Sequence, residues 1–291
     1  MHSSFSDGRL EPDELLLLGA TRGLDLLALA DHNTAAGARA AMEAWRDGKP
    51  GPRPVPAQEV SSDERMHLLV YGLEESLGAV RSVDLPTALG RVEAAGGAAV
   101  LAHPWSIIAR PRALDLARGL LADGLLHGVE LLSAALFYEE FGVWRETLSW
   151  YERECASCRP AVLGGTDWHD HGQGYALGLG RTLFLGEEGE GGRSFIRAVR
   201  AGETAALLYP PLLLEHGLAG RIRRERQGLL PEPWDGLLGR EEILAALRAE
   251  IRALAAAFED AADPVRRAGR VLLAEGRYSA ARRMLKKGER A

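Results

Sequence analysis

Histidines and acids recur together in this chain at the borders of short apolar runs. His2 precedes Ser3-Ser4-Phe5-Ser6-Asp7-Gly8, and Asp31-His32-Asn33 follows the run ending at Ala30. Glu59 closes Val55-Pro56-Ala57-Gln58, His67 opens the next run, His103-Pro104 closes another, and Asp167-Trp168-His169 follows Val162-Leu163-Gly164-Gly165-Thr166. Imidazoles and carboxylates gathered at one place form the donor set of borderline divalent ions such as Zn, Mn or Fe. Gathered without a cation, the same groups repel one another or stay unsatisfied. Singly, each has a plain explanation: a turn histidine, a helix cap at Asp31 or Asp167, a solvated loop acid at Glu59. Asn33, the one asparagine of the chain, can cap the helix after it. The joint, ordered occurrence is what points to metal chemistry. His127, His171 and His216 fit no place in the series and read as surface or supporting histidines. Cys155 and Cys158 form a lone C-x-x-C in a helical pattern, read as two reduced thiols because no second ligand pair accompanies them.

The elements that must position these groups alternate. Strand-like runs cover residues 24–30, 55–60, 67–73, 98–102, 128–132, 161–165, 182–185 and 204–208. Helical patterns cover 11–22, 34–47, 85–97, 112–123, 136–157 and 193–202. Alternation of this kind predicts a mostly parallel sheet covered by helices, and about eight strands favour a barrel over an open sheet. In such a barrel the C-terminal strand ends form one rim, where side chains distant in sequence converge. After Tyr209-Pro210-Pro211 the strand signal stops. The expected division is a barrel at 1–208 and a helical extension at 209–291.

Composition narrows the function. The chain has 291 residues, 46% of them hydrophobic, and Lys+Arg 35 against Asp+Glu 41 gives a net charge of −6. A mildly acidic chain without a basic tail is poorly suited to long nucleic acids or anionic lipid. No apolar run approaches the roughly 18–20 residues of a membrane span, and the first residues lack a leader pattern, so a cytoplasmic location is expected.

Five segments carry a resemblance. His2 to Gly8, Gly23 to Thr34, Gln58 to Ser61, Leu101 to Pro104 and Gly164 to His169 resemble the successive motifs of the PHP (polymerase and histidinol phosphatase) phosphoesterase family, across residues 1 to about 208. Gly128-Val129-Glu130-Leu131-Leu132, Trp144, Trp150 and Arg197 to Thr204 further resemble the branch with carbaryl-hydrolase-like proteins. The resemblance implies a distorted (β/α)7 barrel with two or three divalent ions (Mn, Fe or Zn) at its rim. Residue by residue, it implies His2, Glu59 and Asp167 on one ion, Glu59, His67 and His103 on a second with Glu59 bridging, and Asp7, His32 and His169 on a third. The family motif begins His-x-His, with its first histidine one position before Met1. The expectation is therefore that Met1 is internal to a longer Asp-Leu-His-Met-His segment. Residues 269–285 resemble one tetratricopeptide helix pair, expected to pack on the barrel because one such unit cannot bury its own face.

The expected activity is hydrolysis of a small phosphate ester by a hydroxide bridging two ions, with Glu59, Asp167 and His169 at the reacting centre. His169 can serve as general acid only where it does not ligate metal. Arg110 and Arg112, shortly after His103-Pro104, are candidates to grip the phosphate, against the plainer reading of two solvated loop arginines. Two alternatives stand beside it: a metal-dependent carbamate or ester hydrolase, and a degenerate, non-catalytic PHP module.

Overall fold

Each apolar run of the sequence gives a strand, and five of the six period-3.6 segments between them an α-helix, in a computed structural model that describes residues 1–133, 146–147, 149–169, 177–178, 180–184 and 190–208. These residues belong to one compact unit. The expected extension at 209–291, His171, His216 and half of the 136–157 helical pattern lie outside the described residues, as does Trp144; within that pattern Tyr151–Cys155 form a π-helical turn and Ala156–Cys158 a 3-10 turn.

Among the described residues the strands are β1 (Leu26–Ala28), β2 (Arg53–Val55), β3 (Ala57–Ser61), β4 (His67–Tyr71), β5 (Ala98–Leu101), β6 (Gly128–Ser133), β7 (Ala161–Gly165), β8 (Gly180–Phe184) and β9 (Thr204–Leu208). The α-helices are α1 (Pro12–Thr21), α2 (Ala36–Arg46), α3 (Leu85–Ala94), α4 (Pro111–Ala122) and α5 (Gly192–Ala201). Local chemistry sets their ends. Proline occupies the first turn of α1, where Glu11 and Glu14 form a capping box. Gly202, at φ 72°, ends α5 in the left-handed conformation that glycine adopts without strain.

The sheet is more mixed than the sequence predicts. Strands β5, β6 and β7 run parallel, as do β1 and β2, but β4 is antiparallel to both β3 and β5, and β8 and β9 form an antiparallel hairpin. The expected single strand at 55–60 is two strands, because Pro56 has no N–H to continue a ladder. The described residues form three sheets, β1-β2, β3-β4-β5-β6-β7 and β8-β9. Thr182 and Thr204 hydroxyls donate to Gly164 O and Val162 O and so join the third to β7, and backbone hydrogen bonds join the first to the second. Glu59 N–H donates to Asp31 O and Asn33 N–H to Glu59 O, tying β3 to the chain leaving β1. Ala30 N–H donates to Met1 O and His2 N–H to Trp168 O, so the first two residues sit between the ends of β1 and β7. The core lies on both faces of the central sheet, since alternate residues of β5 enter two different clusters. Val60, Leu68, Val70, Leu101 and Val129 pack on the inner faces of α3 and α4, and Val55, Val100 and Leu163 pack against Phe195 and Val199 of α5.

Candidate metal centre

His32 follows β1, Glu59 lies within β3, His67 begins β4, His103 follows β5, and Asp167 and His169 follow β7. His67 reaches the same rim although it opens its strand, because β4 runs opposite to its neighbours and its first residue lies beside Ser61, the last of β3. Three of these turns are held in an unusual backbone shape. Asn33 (φ 60°), His103 (φ 23°) and Asp167 (φ 47°) adopt positive φ without being glycine, a strain that surrounding structure must hold.

The N-terminal loop is fixed by Asp31. Its carboxylate, fully buried, accepts from Ser3 N–H (2.6 Å), Ser3 Oγ (2.7 Å) and Ser6 Oγ (2.7 Å), which sets the loop between His2 and Asp7. Asp31 is therefore not a helix cap. Nor is Asn33: the N-cap of α2 is Ala35, and Asn33 Oδ1 instead accepts from Ser61 N–H at 2.8 Å, holding the end of β3. The Asp167 side chain faces His2.

Three groups of side chains approach closely enough to share a cation: His2, Asp7, His32 and His169; His32, Glu59 and His67; and His2, Glu59 and Asp167. His2 Nε2 is 3.2 Å from both Glu59 Oε2 and Asp167 Oδ1, while His2 Nδ1 is 3.4 Å from Asp7 Oδ1. Glu59 Oε1 lies 2.6 Å from His67 Nδ1 and 3.0 Å from His103 Nε2. Asp7 Oδ2 lies 3.3 Å from His169 Nε2 and 3.5 Å from His32 Nε2. The rings crowd together, with the His2 centroid 4.2 Å from that of His169 and 4.5 Å from that of His32.

The charges are arranged to suit a cation. Burial alone would raise Glu59, but His103, His2 and His67 hold its carboxyl well below the usual range. Burial acts in the same direction on Asp167 and is outweighed by His2 and His103, leaving it at about 2. Burial opposes protonation of His103, yet Glu59 draws it up to about 9. His2 is also raised, its burial outweighed by Asp167 and Glu59, whereas burial dominates at His32 and lowers it. Glu59 and Asp167 are thus held as anions against the raised imidazoles of His103 and His2, a pairing that a bound cation would replace.

The donor set fits divalent ions on a second ground. Nδ1 of His2, His32 and His67 is buried without a hydrogen-bond partner, although His67 Nδ1 is only 2.6 Å from a carboxylate oxygen. Close donors that do not bond to each other are what a shared ion produces, since metal–ligand distances of about 2.0–2.3 Å set neighbouring ligand atoms roughly 3 Å apart. A ring nitrogen carries one proton at most, so His2 Nε2 cannot donate to Glu59 and Asp167 equally well.

The structure therefore brings together His2, Asp7, His32, Glu59, His67, Asp167 and His169. His103 touches Glu59 but belongs to none of the three groups, and His32 stands with Glu59 and His67 where the family resemblance implies His103. Arg110 and Arg112 lie at the entry to α4, and their side chains make no hydrogen bond or ion pair among the described residues. His127 is elsewhere, with Nε2 3.2 Å from Glu93 and Nδ1 accepting from Ala99 N–H. Cys155 is buried and its thiol is pushed up to about 12 by that burial, while Cys158 is exposed. The sequence assigns no role to one residue of the Gly128–Leu132 motif. Glu130, 4% exposed on β6, accepts from His103 N–H at 3.0 Å, and burial pushes its carboxyl up to about 7. The signal was present as an acid inside an otherwise apolar strand, where burial is costly without a purpose.

Neither the family models nor the curated proteins compared with the sequence gave a match. Solved structures did. A two-domain protein from Bacteroides vulgatus that contains a predicted PHP-like metal-dependent phosphoesterase is 21% identical, with a TM-score of 0.52 over 72% of this chain and 63% of that one. The fold is PHP-like. The PHP-like likeness reaches the fold and not any one branch, and this chain spans less than two thirds of that relative. A candidate metal-dependent phosphoesterase from Bifidobacterium adolescentis (20% identical, 61% of this chain and 88% of that one, TM-score 0.46) and an amidohydrolase from Chromobacterium violaceum solved with sulfate and without metal (20%, 59% and 86%, TM-score 0.43) are more distant and add no weight.

Proposed function

We propose that the chain is a PHP-family, metal-dependent hydrolase that cleaves a small phosphate ester, with two or three divalent ions held by His2, Asp7, His32, Glu59, His67, His103, Asp167 and His169. The observation that carries this reading is the overlap of the three ligand groups: Glu59, His2 and His32 each belong to two of them, so ions bound there would be neighbours. Neighbouring divalent ions supply activation of water at neutral pH and neutralisation of phosphoryl oxygens as charge builds on them.

The chain's own residues do the rest. Glu59, 2% exposed, faces away from solvent and fixes the spacing of the groups it joins. Asp7 is the most exposed donor at 52%, and His32, His67, Asp167 and His169 are each partly exposed, so solvent and substrate can reach all three groups. His169 Nδ1 lies 2.9 Å from Asp167 O. A neutral ring donating there leaves Nε2 unprotonated and facing Asp7, a ligand's arrangement rather than a general acid's. Arg110 and Arg112 remain candidates for the phosphate, at the N-cap and in the first turn of α4.

Metal analysis of the purified protein together with a panel of chromogenic phosphate esters and an aryl carbamate tests the proposal. Bound metal and phosphate-ester turnover lost in Glu59→Ala are expected. Turnover of the carbamate alone would replace the reading with a carbamate hydrolase, and metal-free protein after Mn is supplied would overturn it.

A further inference from the structure

His103 is held at three points. Nε2 faces Glu59 Oε1 at 3.0 Å, Nδ1 faces Ser106 Oγ at 3.2 Å, and its backbone N–H donates to Glu130 Oε2 at 3.0 Å. Its backbone sits at φ 23° and ψ 64°, a conformation that side-chain-bearing residues adopt at a cost of about 1–3 kcal/mol and keep only when neighbours enforce it. Serine 106 is three residues away in the same turn and moves with it. Glu59 meets only the ring; the side chain from outside the turn that holds the His103 backbone is Glu130, on the adjacent strand β6.

Every residue of β6 is buried, so a carboxylate there opposes the ordinary preference of a parallel strand for apolar side chains. Room has been made for it. A Cβ at Gly165 would lie 1.9 Å from Glu130 Oε1, so β7 passes this carboxylate only because position 165 has no side chain. Glu130 therefore occupies the space between the turn carrying His103 and the end of β7, two residues before Asp167.

We infer that Glu130 is a positioning residue: its carboxylate oxygen holds the backbone of His103 in the left-handed conformation that aims Nε2 at Glu59. The inference rests on the reading of the Glu59 cluster as a cation site. The length of the side chain is what matters in this arrangement, since it sets where the acceptor stands. Glu130→Gln keeps an acceptor oxygen at the same reach and removes the charge, whereas Glu130→Asp keeps the charge and withdraws the oxygen by one methylene.

Cobalt binding to the full-length protein, followed by affinity and by the visible spectrum that reports coordination, separates these. Glu130→Gln is expected to bind within about threefold of the unaltered protein. Glu130→Asp is expected to bind one ion about 10–100-fold more weakly, the usual effect of losing a group that orients a ligand. In a His103→Ala background the aspartate variant should weaken binding no further, as a double-mutant cycle requires of groups acting through one another. Equal affinities for Glu130→Asp and the unaltered protein, or a loss confined to Glu130→Gln, would overturn the inference while leaving the cation site standing. An unaltered protein that binds no cobalt would overturn both.

Discussion

Asp31 shows how a residue that touches no candidate ion governs those that do. Its two oxygens take three hydrogen bonds from Ser3 and Ser6, and space for them exists because a Cβ at Gly37 would fall 1.9 Å from Asp31 Oδ2. Removal of the acceptor leaves the buried Ser3 N–H and hydroxyl unsatisfied, and hydrogen bonds to a charged group are worth about 1.5–3 kcal/mol each before shared losses are counted. Asp31→Ala is expected to lower unfolding free energy by about 3 kcal/mol in denaturant titrations. It should weaken Mn binding at the Asp7 group more than at the Glu59–His67 pair, which β3 and β4 hold without help from this loop. Glu130 and Asp31 share one lesson about legibility. The identities of the candidate ligands could be read from the chain because imidazoles and acids are chemically conspicuous. The acids that hold them could not be assigned, because Ser3 is 28 positions from Asp31 and His103 is 27 from Glu130, and only the fold supplies those pairings.

At the scale of elements, the runs and periods marked where most strands and helices lie, since burial of alternating apolar segments dictates them locally, but not their bounds: the run at 24–30 gives only Leu26–Ala28, and the one at 55–60 is split at Pro56. Direction was not legible. The antiparallel course of β4 follows from the short turn after Ser61, which leaves no length for a helical crossover, and it accounts for a ligand at the start of a strand. Two glycine contrasts test how tightly these elements meet. A Cβ on Gly180 of β8 would fall 1.7 Å from Gly165 O of β7, whereas Gly90 of α3 and Gly119 of α4 have open space around theirs. Gly180→Ala is expected to destabilise by about 1–3 kcal/mol, as overpacking does. Gly90→Ala and Gly119→Ala should each stabilise by about 0.5–1 kcal/mol, the helical penalty of glycine, all read from thermal melts. A pH effect belongs to the same scale. His127 N–H donates to Ala99 O and its Nδ1 accepts from Ala99 N–H, joining β5 and β6, while Nε2 meets Glu93, itself paired with Arg200 of α5. Burial first, and Arg200 second, hold His127 below its ordinary value of 6.5. The folded protein thus favours the neutral ring, so this stability is complete above about 6.5 and is lost as pH falls through the lowered folded value. Melting between pH 8 and 5 should show a shallower acid decline in His127→Gln than in the unaltered protein; parallel declines would disprove the role.

For the whole molecule, the candidate centre joins residues as far apart as His2 and Asp167, 165 positions along the chain. An ion there would tie the N-terminal loop, β3, β4 and the turn after β7 into one unit, and the unfolded chain offers no comparable site. Binding to the native state alone stabilises it by mass action, about 2.7 kcal/mol when free ion exceeds Kd a hundredfold. For a domain of this size each kcal/mol moves the midpoint by about 2–4 °C, so saturating Mn should raise Tm by roughly 5–10 °C and EDTA should reverse it. The metal-free protein carries Glu59 and Asp167 as anions against raised imidazoles, an internal pairing that keeps it folded but that an ion must displace. Glu59→Gln removes the carboxylate common to two ligand groups. Its melting temperature should respond to Mn by no more than about 1–2 °C, while the secondary structure seen by circular dichroism stays that of the unaltered protein. A full Mn-dependent shift in this variant would place the stabilising ion away from Glu59, and with it the centre on which the hydrolase reading depends.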